Sequence, residues 1–189
     1  MELGTPYQFL HYFLSDDLIE IIAQKSIRYS VEIDTSKPFH ITATDVRQFL
    51  GICILMSIVR TPSVRDHWSD NLGTELIKPS MSLNRFEHIR QTLHFNDNVK
   101  QIARGQTGHD RLFKIRPVIK DIRKRFKSTP MEECLSIDEQ MCSTKAKSYL
   151  KQYATKKPNK WGICSSFYVA SRGLLTTLRS IVVKRTTPT

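Results

Sequence analysis

The chain changes its hydrophobic period once, near residue 130, and that change limits the folds open to it. Before it, Ile115, Ile119, Ile122 and Phe126 stand at i, i+4, i+7 and i+11, the spacing that lines one side of a helix. After it, Leu135 and Ile137 alternate with Cys134, Ser136 and Asp138, the period of a strand with its aliphatics on one face and Asp138 on the other. A helical region over 1–130 followed by strands from Cys134 makes the expected class α+β.

Local signals divide the helical region. Thr5-Pro6-Tyr7-Gln8 combines a capping residue, a proline at the first helical position and a glutamine three residues after the cap. Ser15 followed by Asp16 and Asp17 marks a second start, with carboxylates near the positive end of the helix dipole. Leu14, Leu18, Ile21 and Ile22 then read as one apolar face, and residues 30–43, with Pro38 and several Ser and Thr, as a loop. From Thr44 to Arg60 the helical pattern of Val46, Phe49, Leu50, Cys53 and Ile54 is joined by Ile52, Leu55, Met56, Ile58 and Val59 on the other faces. Such an all-round apolar helix is expected in the middle of a bundle. Phe86, Ile89 and Leu93 mark a short helix, Trp68 a half-buried anchor for its loop, and Val99 to His109, with Gly105 and Gly108, a mobile loop.

Charge is distributed as unevenly as periodicity. The 189 residues hold 29 Lys and Arg against 18 Asp and Glu, a net charge of +11, so a polyanion is the first partner to expect. Ten of the basic residues and none of the acidic ones follow Glu139. Cys53, Cys134, Cys142 and Cys164 form no CxxC pair and match no His spacing, so they do not read as a zinc site, and nothing in them suggests an oxidising compartment. Neither a secretory leader nor an apolar run near the ~20 residues of a membrane span is present. A soluble intracellular chain is the expectation, with no membrane and no small-molecule substrate.

The most informative stretch is residues 131–162. Lys145, Lys147, Lys151, Lys156, Lys157 and Lys160 are interleaved there with Tyr149, Tyr153 and Trp161, a composition suited to phosphates and flat bases. The preceding helical stripe also carries cations on its other faces, Arg116, Lys120, Arg123 and Lys124 among them. These fit equally a track along a phosphate backbone and a solvated surface around a buried stripe.

The strings LSIDEQ, LKQY and KKPNKWGI resemble piggyBac-type transposases and the host proteins derived from them. TPYQFLHYFLSDDLIE, VRQFLGICILMSIVRTPSVRDHWS, MSLNRFEHIRQTLHFNDN and DRLFKIRPVI follow that family's order and spacing, so the resemblance spans about residues 5–163. It implies a helical dimerisation and DNA-binding part over 1–130 and the start of a ribonuclease H-like catalytic domain over 131–163, in a nuclear protein. It also implies that Asp138 stands where the family has the first of three metal-binding aspartates.

Intact relatives are expected to use two Mg2+ ions for in-line attack on phosphate. Magnesium requires several oxygen ligands in near-octahedral geometry. Asp138 is vestigial by this reasoning, because Glu139 alternates to the other face and no carboxylate side chain follows. No cofactor is therefore expected for this chain.

Residues 164–189, CSSFYVASRGLLTTLRSIVVKRTTPT, do not resemble the family's continuation. Permitted codons read two nucleotides on do yield a strand-alternating peptide of that kind. The expectation is a truncated chain with a frameshifted tail, in which one or two improvised strands form.

Three functional readings stay open: a catalytically inactive transposase-derived protein with residual binding of double-stranded DNA; a host-retained DNA-binding and dimerisation module, homodimeric or paired with a related transposase, acting on transposon ends or on that transposase; and a transposase fragment active only when complemented by another chain.

Overall fold

Capping chemistry sets the first helices. In the computed structural model, which describes residues 4–128, 135–145, 148, 150–170 and 175–181, strand residues 135, 137–139, 166–170 and 175–181 are described by backbone alone. Helix α1 (Pro6–Phe13) opens on a reciprocal box, in which Thr5 Oγ1 accepts from the Gln8 amide and Gln8 Oε1 accepts from the Thr5 amide. Helix α2 (Asp16–Ile33) opens on Ser15, whose Oγ accepts from the Leu18 amide.

The apolar face of α2 differs from the expected one. Leu18, Ile22, Ser26 and Ser30 follow a four-residue row, flanked by Ile19 and Ala23, and all six are buried. Ile21 is 41% exposed. At about 100° per residue, Ile21 lies about 140° round the helix from Ser26, whereas Ile19 lies within about 20° of it. The two serines make close approaches: Ser26 Oγ accepts from the His94 amide at 2.9 Å and Ser30 Oγ accepts from the Phe39 amide at 3.1 Å. Each hydroxyl also donates to a carbonyl within α2, so both serines are satisfied in the packed face, and the helix runs on through Ser30 to Ile33. The expected loop over 30–43 is thus confined to residues 34–42.

Helix α3 (Ala43–Ile58) carries a second reciprocal box between Thr42 and Asp45. Val46, Phe49 and Ile52 are buried, but Ile54 and Ile58 are 45% and 74% exposed. The expectation of a helix enclosed on all sides is therefore corrected. Helix α2 and helix α4 (Leu83–Thr92) cover one side of it, and among the described residues nothing covers the other.

The core joins Leu18, Ile19 and Ile22 of α2, Val46, Phe49 and Ile52 of α3, and Phe86 and Ile89 of α4, with Ile41, Ile77 and Met81 from the connections. Phe49 and Phe86 stack with centroids 4.8 Å apart. Trp68 is half-buried as expected, its Nε1–H donating to the Met81 carbonyl at 2.8 Å.

Ion pairs tie the elements together at the margin of this core. Arg85 on α4 forks onto Asp45, Nε to Oδ1 and Nη2 to Oδ2, both at 2.7 Å, and Nη2 also donates to the His40 carbonyl at 3.2 Å. Arg28 on α2 reaches the buried Asp97 beyond α4 at 2.6 Å.

The backbone divides into two compact units, Met1–Val118 and Ile119–Thr189, and the division falls inside helix α5 (Arg116–Lys127). The second unit holds a four-stranded sheet of β1 (Leu135–Ser143), β2 (Gln152–Tyr153), β3 (Trp161–Ala170) and β4 (Leu175–Ile181). All pairings are antiparallel. Strand β1 runs along one side of β3, while β2 and β4 succeed each other along the opposite side. Gly162, which faces both Ser143 and Gln152, is required by proximity, since a Cβ there would lie 2.4 Å from the Cys142 carbonyl oxygen.

The Asp45 carboxyl is held well below the usual carboxylate range, chiefly by its hydrogen bonds to Arg85 and then by those to Thr42. A depressed folded-state pKa contributes stability that is complete above the unfolded value of about 3.9 and lost as pH falls through the folded value. Replacing Asp45 by Asn is expected to cost about 2 kcal/mol at pH 7, between the values for exposed and buried pairs because Arg85 is partly solvated. In urea titrations from pH 7 to pH 2, the gap between the native protein and Asp45→Asn should stay constant down to about pH 5 and close below about pH 3.9.

Candidate nucleic-acid interface

Helix α5 turns the expected cationic stripe into a defined face. Ile119 and Phe126, seven residues apart, are buried, and Ile115 and Ile122 are half-buried. Lys120, Arg123, Lys124 and Lys127 stand at i, i+3, i+4 and i+7 and share one side of the helix. Lys120, Lys124 and Lys127 are exposed and Arg123 is half-buried. Arg116, at the helix start, is engaged elsewhere, its guanidinium forking onto both carboxylate oxygens of Asp110. That pair raises the Arg116 pKa and lowers that of Asp110. The i, i+6 spacing of the two residues offers no helical signal by which sequence could announce the pair.

The lysine-rich segment folds as a hairpin on the sheet. Strand β2 leads into residues 154–160 and back into β3, closed by the Ala154 amide donating to the Lys160 carbonyl at 2.8 Å. Lys156 and Lys160 are exposed in this loop, and Lys157 is half-buried. Lys145 is exposed just beyond β1, and Lys151 is half-buried with its ammonium 5.8 Å from the Trp161 ring centroid. Lys147 and Tyr149 lie outside the described residues.

Tyr153 and Trp161 face each other across the β2–β3 pair, with centroids 5.0 Å apart and ring planes at 55°. Both remain about half exposed, at 51% and 54%. Sequence alone shows these aromatics interleaved with lysines. Their contact depends on the register of the hairpin, for which the seven-residue loop containing Pro158-Asn159 is the only local cue.

Asp138 lies within β1, in register with Phe167 of β3, and its side chain lies outside what is described. Among the described residues no three His, Cys, Asp or Glu side chains cluster in a manner that could hold a metal ion. Cys53 and Cys142 are free thiols, and Cys164 is buried. No helix among the described residues is long and apolar enough to cross a membrane.

The profile of the Transposase IS4 family matches residues 5–187, a span that includes most of the tail expected to be out of frame. The chain is 32% identical over 165 residues to the human piggyBac transposable element-derived protein 3, covering 85% of this chain and 26% of that protein. The same identity and length hold for the human chimeric ERCC6-PGBD3 protein, of which 15% is covered. The chain thus spans about a quarter or less of these relatives. A cryo-EM structure of a piggyBac transposase synaptic complex with hairpin DNA superposes on the whole chain and on 40% of its own, with a TM-score of 0.81 and 19% identity, so the α+β arrangement is that of a piggyBac transposase. On these matches the chain belongs to the Transposase IS4 family, in its piggyBac-type branch.

Proposed function

We propose that this chain is a transposase-derived protein that binds double-stranded DNA in the nucleus and does not itself break it. The observation that carries the reading is the cationic side of α5, Lys120, Lys124 and Lys127, together with the exposed Lys145, Lys156 and Lys160 of the second unit. Such cations bind by releasing the counterions condensed on phosphates, a sequence-independent attraction. That the superposing transposase is a complex with DNA supports the same reading. The tail cations Arg172, Arg179, Lys184 and Arg185 are left out of it, because their side chains lie outside what is described.

The residues of this chain do not fit the two-magnesium centre of transposases. Such a centre needs several carboxylates converging on both ions. Asp138 has Glu139 as its neighbour along the strand, and residues 140–189 contain no Asp or Glu. We derive no metal-dependent step, and the ribonuclease H-like sheet serves here as a scaffold for the lysine hairpin.

A second reading, a retained module that associates with another copy of the chain, is favoured by the outer side of α3. There Ile54 and Ile58, one turn apart, are exposed, with Gly51 a turn before Ile54 facing open space. Burial of such a stripe against its own copy would remove it from water.

Three measurements check these readings. Affinity for a duplex oligonucleotide should fall steeply between about 50 and about 200 mM salt and ignore sequence, and Lys120→Ala with Lys124→Ala should reduce the log–log salt slope by about 2. A preference for one terminal sequence would overturn the generic reading. Supercoiled plasmid should remain intact with Mg2+, and nicking that vanishes in Asp138→Asn would establish the enzyme reading instead. In sedimentation experiments, any dimer formed through α3 should dissociate in Ile54→Lys, which alters only an exposed position.

A further inference from the structure

The sheet of the second unit presents an aromatic surface that its own core does not use. Tyr153 and Trp161 are cross-strand partners, so they project from one face of the hairpin, and each keeps about half its surface in water. Large aromatic groups left exposed together mark a contact surface more often than a lone exposed residue does. Their surroundings identify the contact. Lys151 lies over the Trp161 ring at 5.8 Å, Lys156 and Lys160 are exposed in the seven-residue loop joining the two aromatics, and no carboxylate side chain occurs from residue 140 onwards. The surface therefore combines π faces with exposed positive charge, the combination that holds unpaired nucleotides by base stacking and phosphate neutralisation together.

We propose that the Tyr153–Trp161 pair is a stacking platform for an unpaired base of DNA, with Lys156 and Lys160 neutralising the flanking phosphates. This rests on the DNA-binding reading and adds to it a form that the hairpin itself would hold, single-stranded or frayed DNA, beside the duplex bound through phosphates alone. In a closed duplex the bases already stack on one another and offer the platform no free face. A protein partner is the competing occupant, but a hairpin that encodes lysines and no carboxylate side chain is complementary to a polyanion.

The test compares a single-stranded oligothymidine with a blunt duplex of the same length, using the full chain. The protein holds two tryptophans, Trp68 in the first unit and Trp161. Oligothymidine should quench tryptophan emission in the native chain and leave it unchanged in Trp161→Leu. Single-strand affinity should fall about tenfold in Trp161→Leu and in Tyr153→Leu, each of which keeps apolar bulk but removes the ring. Trp161→Tyr should restore most of it, and duplex affinity should change by less than about twofold in all three.

If Trp161→Leu binds oligothymidine as tightly as the native chain while salt-sensitive duplex binding persists, the platform is refuted and the duplex reading stands. Ring-dependent binding of oligothymidine with no duplex binding would uphold the platform and remove the duplex reading. If neither nucleic acid binds, both fall. Circular dichroism of each variant separates loss of the ring from loss of the fold.

Discussion

The bidentate pair between Asp45 and Arg85 fixes how two of the three core helices of the first unit meet. Asp45 acts in two directions at once: its carboxylate closes the capping box of α3 through Thr42 and also receives both arms of the Arg85 guanidinium. The start of α3 and the first turn of α4 are consequently joined through one carboxylate. The Arg85 guanidinium further lies 5.1 Å from the Phe39 ring centroid, and Phe39 stacks on His88, one turn along α4. Four groups thus share one electrostatic and aromatic cluster, and Phe49 and Phe86 stack with one another beside it in the core. Hydrophobic burial supplies most of the driving force, but it is non-directional. The fork geometry of arginine on a carboxylate supplies direction.

Features that depend on a few neighbouring residues were legible in the sequence. The starts of α1 and α2 follow from Thr5-Pro6 and Ser15-Asp16-Asp17, and the passage from helix to strand from the change of period after Phe126. Features that depend on which neighbours pack were not. Ile21 and Ile19 are indistinguishable by composition, and only the placement of the four-residue row through Ser26 decides which is buried. Likewise α3 is apolar on every side in sequence, yet its burial reflects two neighbouring helices rather than its own pattern.

Charge was the least legible property at the candidate site. Arg116 and Lys120 belong to one basic helix in sequence, but the folded chain gives them different roles. Arg116 is neutralised by Asp110 across a six-residue separation, while Lys120 remains in water on the same side as Lys124 and Lys127. A net charge of +11 therefore overstates what is free to meet a polyanion. The cations that count are those whose carboxylate neighbours were spent elsewhere or never encoded, and the latter are concentrated after Glu139.

Sheet geometry determines which groups the second unit brings together. Gly162 lets β3 approach the Cys142 carbonyl so closely that no side chain fits between them, so β1, β3 and β2 are held in one continuous ladder. Asp138 is fixed within that ladder with its register partner Phe167, while the opposite side of β3 presents Trp161 to Tyr153. Strand β3 thus pairs with the strand of Asp138 on one side and carries half of the aromatic pair, beside a lysine loop, on the other. Convergence of several carboxylates requires residues from separate strands or helices, and residues 140–189 encode none. An aromatic–lysine surface requires only one hairpin, residues 151–161, and that hairpin is present with its register set. The groups of the proposed binding surface therefore lie on one short local element, whereas a metal centre depends on long-range assembly.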